Sequence, residues 1–374
     1  MTMHYGNRLK LGMFAANCSS GRTATTVPER WTASWYDNLA LATAADEAGI
    51  DFMLPIGRWK GYGGSTDYQG TSFETLTWAS GLLQATKRIT VFGTVHAPLF
   101  HPIIAAKQIV TADHIGQGRF GLNLVCGWNE DEFEMFGIDI KGHADRYAHG
   151  AEWLRVLRLL WSDTEDVDFG GDVFHLKGLR GKPKPYGGVE PLIMNAGASP
   201  SGQAFAVANC DAYFTGIRTS TFDDRTGSME PDLPRAVATA ESVRDRAAAV
   251  GREIGVFSRA EIYCRPTQAE AYEYYRYASI ENADWGAVEG QLEIFGVKDD
   301  GSPEFEARKR QHVQGFPIIG DPDRVARALA DISRAGFDGL AMSFVNYLDE
   351  LPYFRDEVLP RLAAAGLRRA PSAT

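Results

Sequence analysis

The residues able to do chemistry in this chain gather where its apolar runs end. Residues 118–128, GRFGLNLVCGW, lead straight into Asn129, Glu130, Asp131 and Glu132. Asn123 interrupts what otherwise reads as a fully buried strand, and an amide buried without a partner costs about 1–3 kcal/mol. After the run 192–197 comes Ser199-Pro200-Ser201-Gly202. Serine can cap a helix, proline suits its first position, and Gly202 leaves backbone room for a ligand. The partial positive charge of a helix start suits a phosphate. Arg146 and Tyr147, opening another helical segment, could add charge-assisted hydrogen bonds to such a group. Taken singly, the first feature is equally an ordinary cap and the second a surface ion pair. The loop Arg58-Trp59-Lys60-Gly61-Tyr62-Gly63-Gly64 carries cations and rings that can bracket a planar ligand, or is a plain glycine loop. Thr94, His96 and His101 follow a third run, where histidine serves as a general base or a polar wall.

Several other chemistries lack their motif. Neither H-x-H nor H-E-x-x-H occurs, so no metal centre is expected. The P-loop pattern is missing, and a nucleophile elbow needs glycine at 201, where the chain has Ser201. No G-x-G-x-x-G fingerprint follows a strand, which argues against a resident nicotinamide site. Cys18, Cys126, Cys210 and Cys264 are far apart and form no C-x-x-C, which fits a reducing cytoplasm. A net charge of -10 and a pI near 5.4 disfavour nucleic acid and anionic membranes as partners. The first residues lack the apolar core of a signal peptide, and no run approaches the ~20 apolar residues of a membrane span. A retaining glycosidase would need two carboxylates. Glu130 imitates one, but its partner would have to be Glu261, inside an apolar run.

These residues need elements to position them. Near-continuous apolar runs predict strands near 9–16, 52–56, 89–95, 120–126, 192–197, 212–216, 256–263 and 339–344. Helical patterns lie between them near 34–48, 72–86, 102–116, 144–162, 201–208, 233–250 and 321–335, with another at 351–365. Eight strands, each followed by a helix, favour a closed (β/α)8 TIM barrel over an open doubly wound sheet. Barrels keep their chemistry at the C-terminal ends of the strands, where the residues above fall. One barrel domain is expected over 1–374, with a hairpin at 166–178 and a tail frayed from Arg368 onward. A Gly/Pro-punctuated insertion at 284–318 reads as an active-site lid or as a solvated excursion.

The order and spacing of several motifs resemble the bacterial luciferase-like, flavin-dependent monooxygenases. The branch most similar holds pyrimidine oxygenase, dimethylsulfone monooxygenase and dibenzothiophene-sulfone monooxygenase. The resemblance spans roughly residues 9–365 and rests on 118–138, Ile115-Gly-Gln-Gly-Arg119, Asp145-Arg-Tyr147, Phe174-His-Leu-Lys, Lys182-Pro-Lys-Pro185 and Asn195-Ala-Gly-Ala-Ser199. It implies a TIM barrel binding FMN at its mouth. Gly57 and Arg58 match a flavin-contacting loop, and Asn123 and Glu132 match further flavin contacts. Arg146, Tyr147 and Ser199 match the phosphate site, supported by Gly202. Leu54, Thr94, Asn123 and Trp128 match the pocket where that branch binds O2 on reduced flavin (FMNH2).

The resemblance therefore implies a two-component monooxygenase. A separate NAD(P)H-dependent flavin reductase would supply FMNH2, and a flavin-peroxide, at N5 or C4a, would transfer one oxygen atom to a small organic substrate. A homo-oligomer is the family expectation. The loop 15–24, Pro55-Ile56-Gly57, His96 and His101 depart from pyrimidine oxygenase. They border the expected substrate, which leaves a heterocycle, a sulfone and a halogenated ring open. Two rivals share the fold: a deazaflavin-dependent reductase and a non-catalytic flavin-binding protein.

Overall fold

The apolar runs form the strands of a closed parallel barrel. The computed structural model describes residues 6–140, 142–162, 165–223, 228–314 and 316–369. In chain order the strands are β1 (Lys10–Phe14), β2 (Phe52–Leu54), β3 (Thr90–His96), β4 (Phe120–Val125), β5 (Val167–Gly170), β6 (His175–Leu179), β7 (Leu192–Asn195), β8 (Ala212–Phe214), β9 (Thr219–Asp223), β10 (Ser228–Pro231), β11 (Gly255–Cys264), β12 (Pro317–Gly320) and β13 (Gly339–Ser343). The order β13-β1-β2-β3-β4-β7-β8-β11 closes when β11 pairs with β13. The eight strands are those read from the sequence. They are buried on both faces because helices cover the outside and side chains fill the lumen. Phe52 meets Phe92 and Phe257 edge-to-face in that lumen, at 6.0 and 5.8 Å. Leu54, Met194, Ala212 and Ala341 pack with them.

The helices are α1 (Trp35–Glu47), α2 (Thr75–Ala85), α3 (Pro102–Ile115), α4 (Glu130–Met135), α5 (His143–Ser162), α6 (Pro200–Asn209), α7 (Leu233–Ala248), α8 (Gln268–Arg276), α9 (Trp285–Ile294), α10 (Pro303–Gln314), α11 (Pro322–Arg334), α12 (Tyr347–Tyr353) and α13 (Leu359–Ala364). Side-chain caps define many of their starts: Ser34, Ser199, Asp232, Thr267 and Asp321 each accept a backbone N–H of the first turn. None of the described helices is long and apolar enough to cross a membrane. The hairpin at 166–178 is β5–β6, antiparallel as its paired glycines suggest.

Three parts differ from the sequence reading. His96 is the last residue of β3 rather than beyond it, and Thr94 lies well inside the strand. The insertion 284–318 holds α9, α10 and β12, and β12 pairs with the outer half of β11 beyond the point where β13 leaves it. The tail is not frayed at Arg368. Its guanidinium lies 2.6 Å from the Asp51 carboxylate, with side-chain exposures of 3% and 0%, and also donates to Leu9 O. A buried carboxylate needs a partner, and the last residues of the chain supply it. Residues 370–374 lie outside the described residues.

Candidate active site

Asn123 and Thr94 are register partners on β4 and β3, so their side chains rise side by side into the lumen. Thr94 Oγ1 donates its proton to Pro55 O at 2.6 Å. It can then only accept, and Asn123 Nδ2 donates to it at 3.1 Å. This chain orients the amide and leaves Asn123 Oδ1 buried with no hydrogen-bond partner among the described residues. An unpartnered buried acceptor is a place for a ligand N–H or O–H. His96, two residues up the strand, is 2% exposed. Burial, then the Arg58 charge, lowers its pKa to about 4, so the ring is neutral near pH 7. A Cβ on Gly57 would lie 2.7 Å from His96 Cε1 and 3.2 Å from Thr94 Cγ2. Glycine there lets the β2 loop close over this wall. Leu54 sits in the apolar lumen beneath.

The second group centres on Arg58. Its guanidinium donates to Glu132 Oε1 at 3.1 Å and to Tyr62 Oη at 2.6 Å. It lies 4.5 Å from the Tyr62 ring centroid and 5.3 Å from that of Trp128. The rings thus bracket the protein's own cation. Glu132 Oε1 also accepts the backbone N–H of Trp59 and Lys60, at 2.8 and 3.3 Å, tying the β2 loop to α4. Glu132 Oε2 is buried without a partner among the described residues. Trp128 stacks on Phe295 at 5.5 Å, just beyond α9, which brings the insertion over this group. Asp284 accepts the N–H groups of Ser65 and Thr66 at 3.1 and 2.8 Å, pinning the same loop from the insertion's root. Trp59 and Lys60 face elsewhere: Trp59 packs on Phe100 and Phe136, and Lys60 pairs with Asp131 near the surface.

The third group lies at the start of α6. Ser199 caps the helix through Gly202 N at 3.1 Å, and the Tyr147 hydroxyl from α5 lies against the same turn. A Cβ on Gly197 or Gly202 would come within 2.4 or 2.5 Å of the Tyr147 hydroxyl. The two bare Cα atoms and the phenol form a concave cradle at a positive helix end, the shape and charge a phosphate needs. Asn195 braces it, accepting from Gly197 N at 2.9 Å and donating to Leu124 O at 2.7 Å. Arg146, 8% exposed, donates to Gly127 O at 2.5 Å.

His101 stands apart from all three groups, exposed at the N-cap of α3 and 3.3 Å from Ile103 N. Asn129 stands in the sequence only as the residue before Glu130. It is 1% exposed, and both its amide atoms lack partners among the described residues. The available signal was its place directly before three acids, the N-cap position of α4. Glu130 is exposed, while Glu261 Oε2 accepts Phe316 N at 3.1 Å on the far side of the barrel. Among the described residues no three His, Cys, Asp or Glu side chains are grouped to hold a metal ion.

A closed (β/α)8 barrel with a bare helix start, an orphaned amide and a buried arginine at its mouth is laid out as barrel enzymes are. The chain matches the luciferase-like monooxygenases over residues 9–339 and belongs to that family. It is 27% identical over 364 residues to the pyrimidine monooxygenase RutA of Cronobacter turicensis, covering 94% of this chain and 92% of that one. Its fold is similar to that of the long-chain alkane monooxygenase LadA, with TM-score 0.84, 20% identity and coverage of 99% and 93%. Riboflavin lyase RcaE, solved with a modified FMN and riboflavin, gives 0.83 at 19% identity, with coverage of 97% and 93%. Family membership makes the protein an enzyme of the oxygen-incorporating class and sets aside the glycosidase reading.

Proposed function

We propose that this chain is the oxygenating component of a two-component flavin monooxygenase. It would receive reduced FMN from a separate NAD(P)H-dependent flavin reductase and place one atom of O2 on a small organic substrate. The observation that carries this reading is that unpartnered buried polar atoms and a bare helix start both occur after the C-terminal ends of barrel strands. Asn123 Oδ1, both Asn129 amide atoms and Glu132 Oε2 lack partners among the described residues, while Tyr147, Ser199, Gly197 and Gly202 form a phosphate-shaped recess. A phosphate-bearing ring with N–H and C=O edges fits both.

Reduced FMN, when bound, supplies the electrons that activate O2. The chain's own residues hold and enclose it. Ser199, Gly202 and Tyr147 receive the phosphate, with Arg146 adding positive charge nearby. Asn123 offers Oδ1 as an acceptor facing the lumen. Thr94 fixes that amide and, with its proton on Pro55 O, gives no hydrogen bond of its own to a ligand. Leu54 and the rings beneath make an apolar floor that excludes water, which strengthens every polar contact above it. The insertion 284–318, seated through Phe295 on Trp128, covers the mouth as a lid.

The test begins with titration of the apoprotein by FMN. Oxygen uptake is then followed with reduced FMN and a panel of pyrimidines, sulfones and chlorinated aromatics. Substrate-dependent uptake with FMN supports the reading. Failure to bind FMN, or turnover with a deazaflavin and no oxygen uptake, overturns it. In the Asn123→Ala variant, product formation should vanish while FMN affinity stays within about threefold. Full activity in that variant would remove Asn123 from the site.

A further inference from the structure

Arg22 and Arg259 face the barrel mouth from the wall opposite Asn123. Arg259 lies on β11, whose inward positions alternate through Phe257, Arg259 and Glu261, and it pairs in register with Ala341 of β13. Arg22 comes from the loop after β1, with its guanidinium carbon 5.9 Å above the Phe14 ring. In the eight-stranded ring, β1 and β11 flank β13, and β4 lies directly across from β13. Arg22 is held from both sides. Gln69 donates to Gly21 O at 2.6 Å, and Thr25 bridges to Ala283 at the root of the insertion.

A single carboxylate stands beside the pair. Arg22 Nε is buried without a hydrogen bond among the described residues, and its nearest carboxylate, Glu261, is 3.8 Å away. Glu261 already accepts Phe316 N. Arg259 is half-buried, and the carboxylate that acts on its charge is the same Glu261. The Arg22 charge, then burial, lowers the pKa of Arg259 to about 10. Two guanidinium groups share one carboxylate here, in a chain whose net charge is -10. Arg58, by contrast, is matched by Glu132. Two like charges drawn partly out of water beside one carboxylate favour a ligand that supplies a second counter-charge. The phosphate cradle does not meet this need, because it belongs to β7 and α6.

We propose that Arg22 and Arg259 form the receptor for a carboxylate, so that the substrate is a small organic acid whose oxidisable end lies toward Asn123. The idea deepens the monooxygenase reading and rests on it for the word substrate, but the receptor can be tested without flavin. Guanidinium forks match carboxylates two bonds at a time, which an amide cannot reproduce.

The experiment is calorimetry on the apoprotein with acetate, benzoate and pyrimidine-4-carboxylate, each beside its primary amide. At least one acid should bind at least tenfold more tightly than its amide. Arg22→Gln and Arg259→Gln should each remove at least tenfold of that affinity, with FMN affinity unchanged in both. Equal binding of acid and amide, no binding of any acid, or unaltered acid binding in both variants overturns the receptor. So does a parallel loss of FMN affinity, which would assign the arginines to the flavin. If the wild type binds acids but not FMN, the receptor stands and the monooxygenase reading falls.

Discussion

Removing the Glu132 carboxylate should unfold the mouth of the barrel before it alters any chemistry. The Arg58 and Glu132 side chains are 3% and 1% exposed. Glu132→Ala leaves the guanidinium without its counter-charge, a loss of about 3–5 kcal/mol for a buried pair. It also strands the N–H groups of Trp59 and Lys60. At about 2.1 cal/mol/K of unfolding entropy per residue, a chain of 374 residues has about 0.8 kcal/mol/K. The melting temperature should therefore fall by about 4–6 °C. Glu132→Gln keeps an acceptor for the two N–H groups and should lose about half as much. The double variant Arg58→Met/Glu132→Leu removes both charges and should recover most of the difference, a coupling that additive effects would not give. Thermal unfolding followed by circular dichroism reads these proteins together with the single variants Arg58→Met and Glu132→Leu, which close the cycle. An unchanged melting temperature in Glu132→Ala, or strict additivity in the double variant, would refute the view that this pair is an electrostatic anchor.

Other expectations follow from single contacts. Gly202→Ala places a methyl 2.5 Å from the Tyr147 hydroxyl and 2.7 Å from Gly197 Cα. FMN affinity should drop at least tenfold while that of riboflavin, which has no phosphate, is kept; equal losses would contradict the cradle. His96 has its pKa lowered from 6.5 to about 4. Between those values the unfolded chain binds the proton more readily, so its stabilising contribution is present above pH 6.5 and lost as pH falls toward 4. Urea titrations of wild type and His96→Gln should diverge by up to ~3 kcal/mol across that window; parallel curves would show that the ring is not held neutral. Phe295→Ala uncovers Trp128 and should raise the share of oxygen consumed without product. Unchanged coupling would mean that the insertion does not seal the site.

The barrel was legible because its strands are buried on both faces and so appear as uninterrupted apolar runs. What escaped notice follows different physics. β12 is four residues long and gains its meaning only from the outer half of β11. α10 is rich in charge, so its sequence resembles solvated loop. The run 89–95 stops one residue short of His96, the polar end of β3, and Thr94 inside it is accepted by the lumen because Asn123 and Pro55 satisfy its hydroxyl. Asn123 stood out as an amide among apolar neighbours. Arg259 shares its run with Ser258 and Glu261, and only closure of the barrel brings it near Arg22, which lies far away in the chain. The roles of Arg58 and Glu132 were suggested by family resemblance, whereas their mutual anchoring came from contact geometry. Asn129 was masked by the acids after it.

The clasp between Arg368 and Asp51 also has a meaning in time. Its two halves are 317 residues apart, and at about 5–20 residues per second a ribosome needs roughly 16–60 s to make the second after the first. β1 waits similarly long for β13, its neighbour on one side. Through that interval the nascent chain carries an open strand edge and a carboxylate that has its hydrogen bonds from Asn7 and Leu11 but no counter-charge, the state in which parallel β proteins are most exposed to mispairing. Completion of the last helix and the arginine behind it is thus the event that ends the barrel's vulnerability during synthesis.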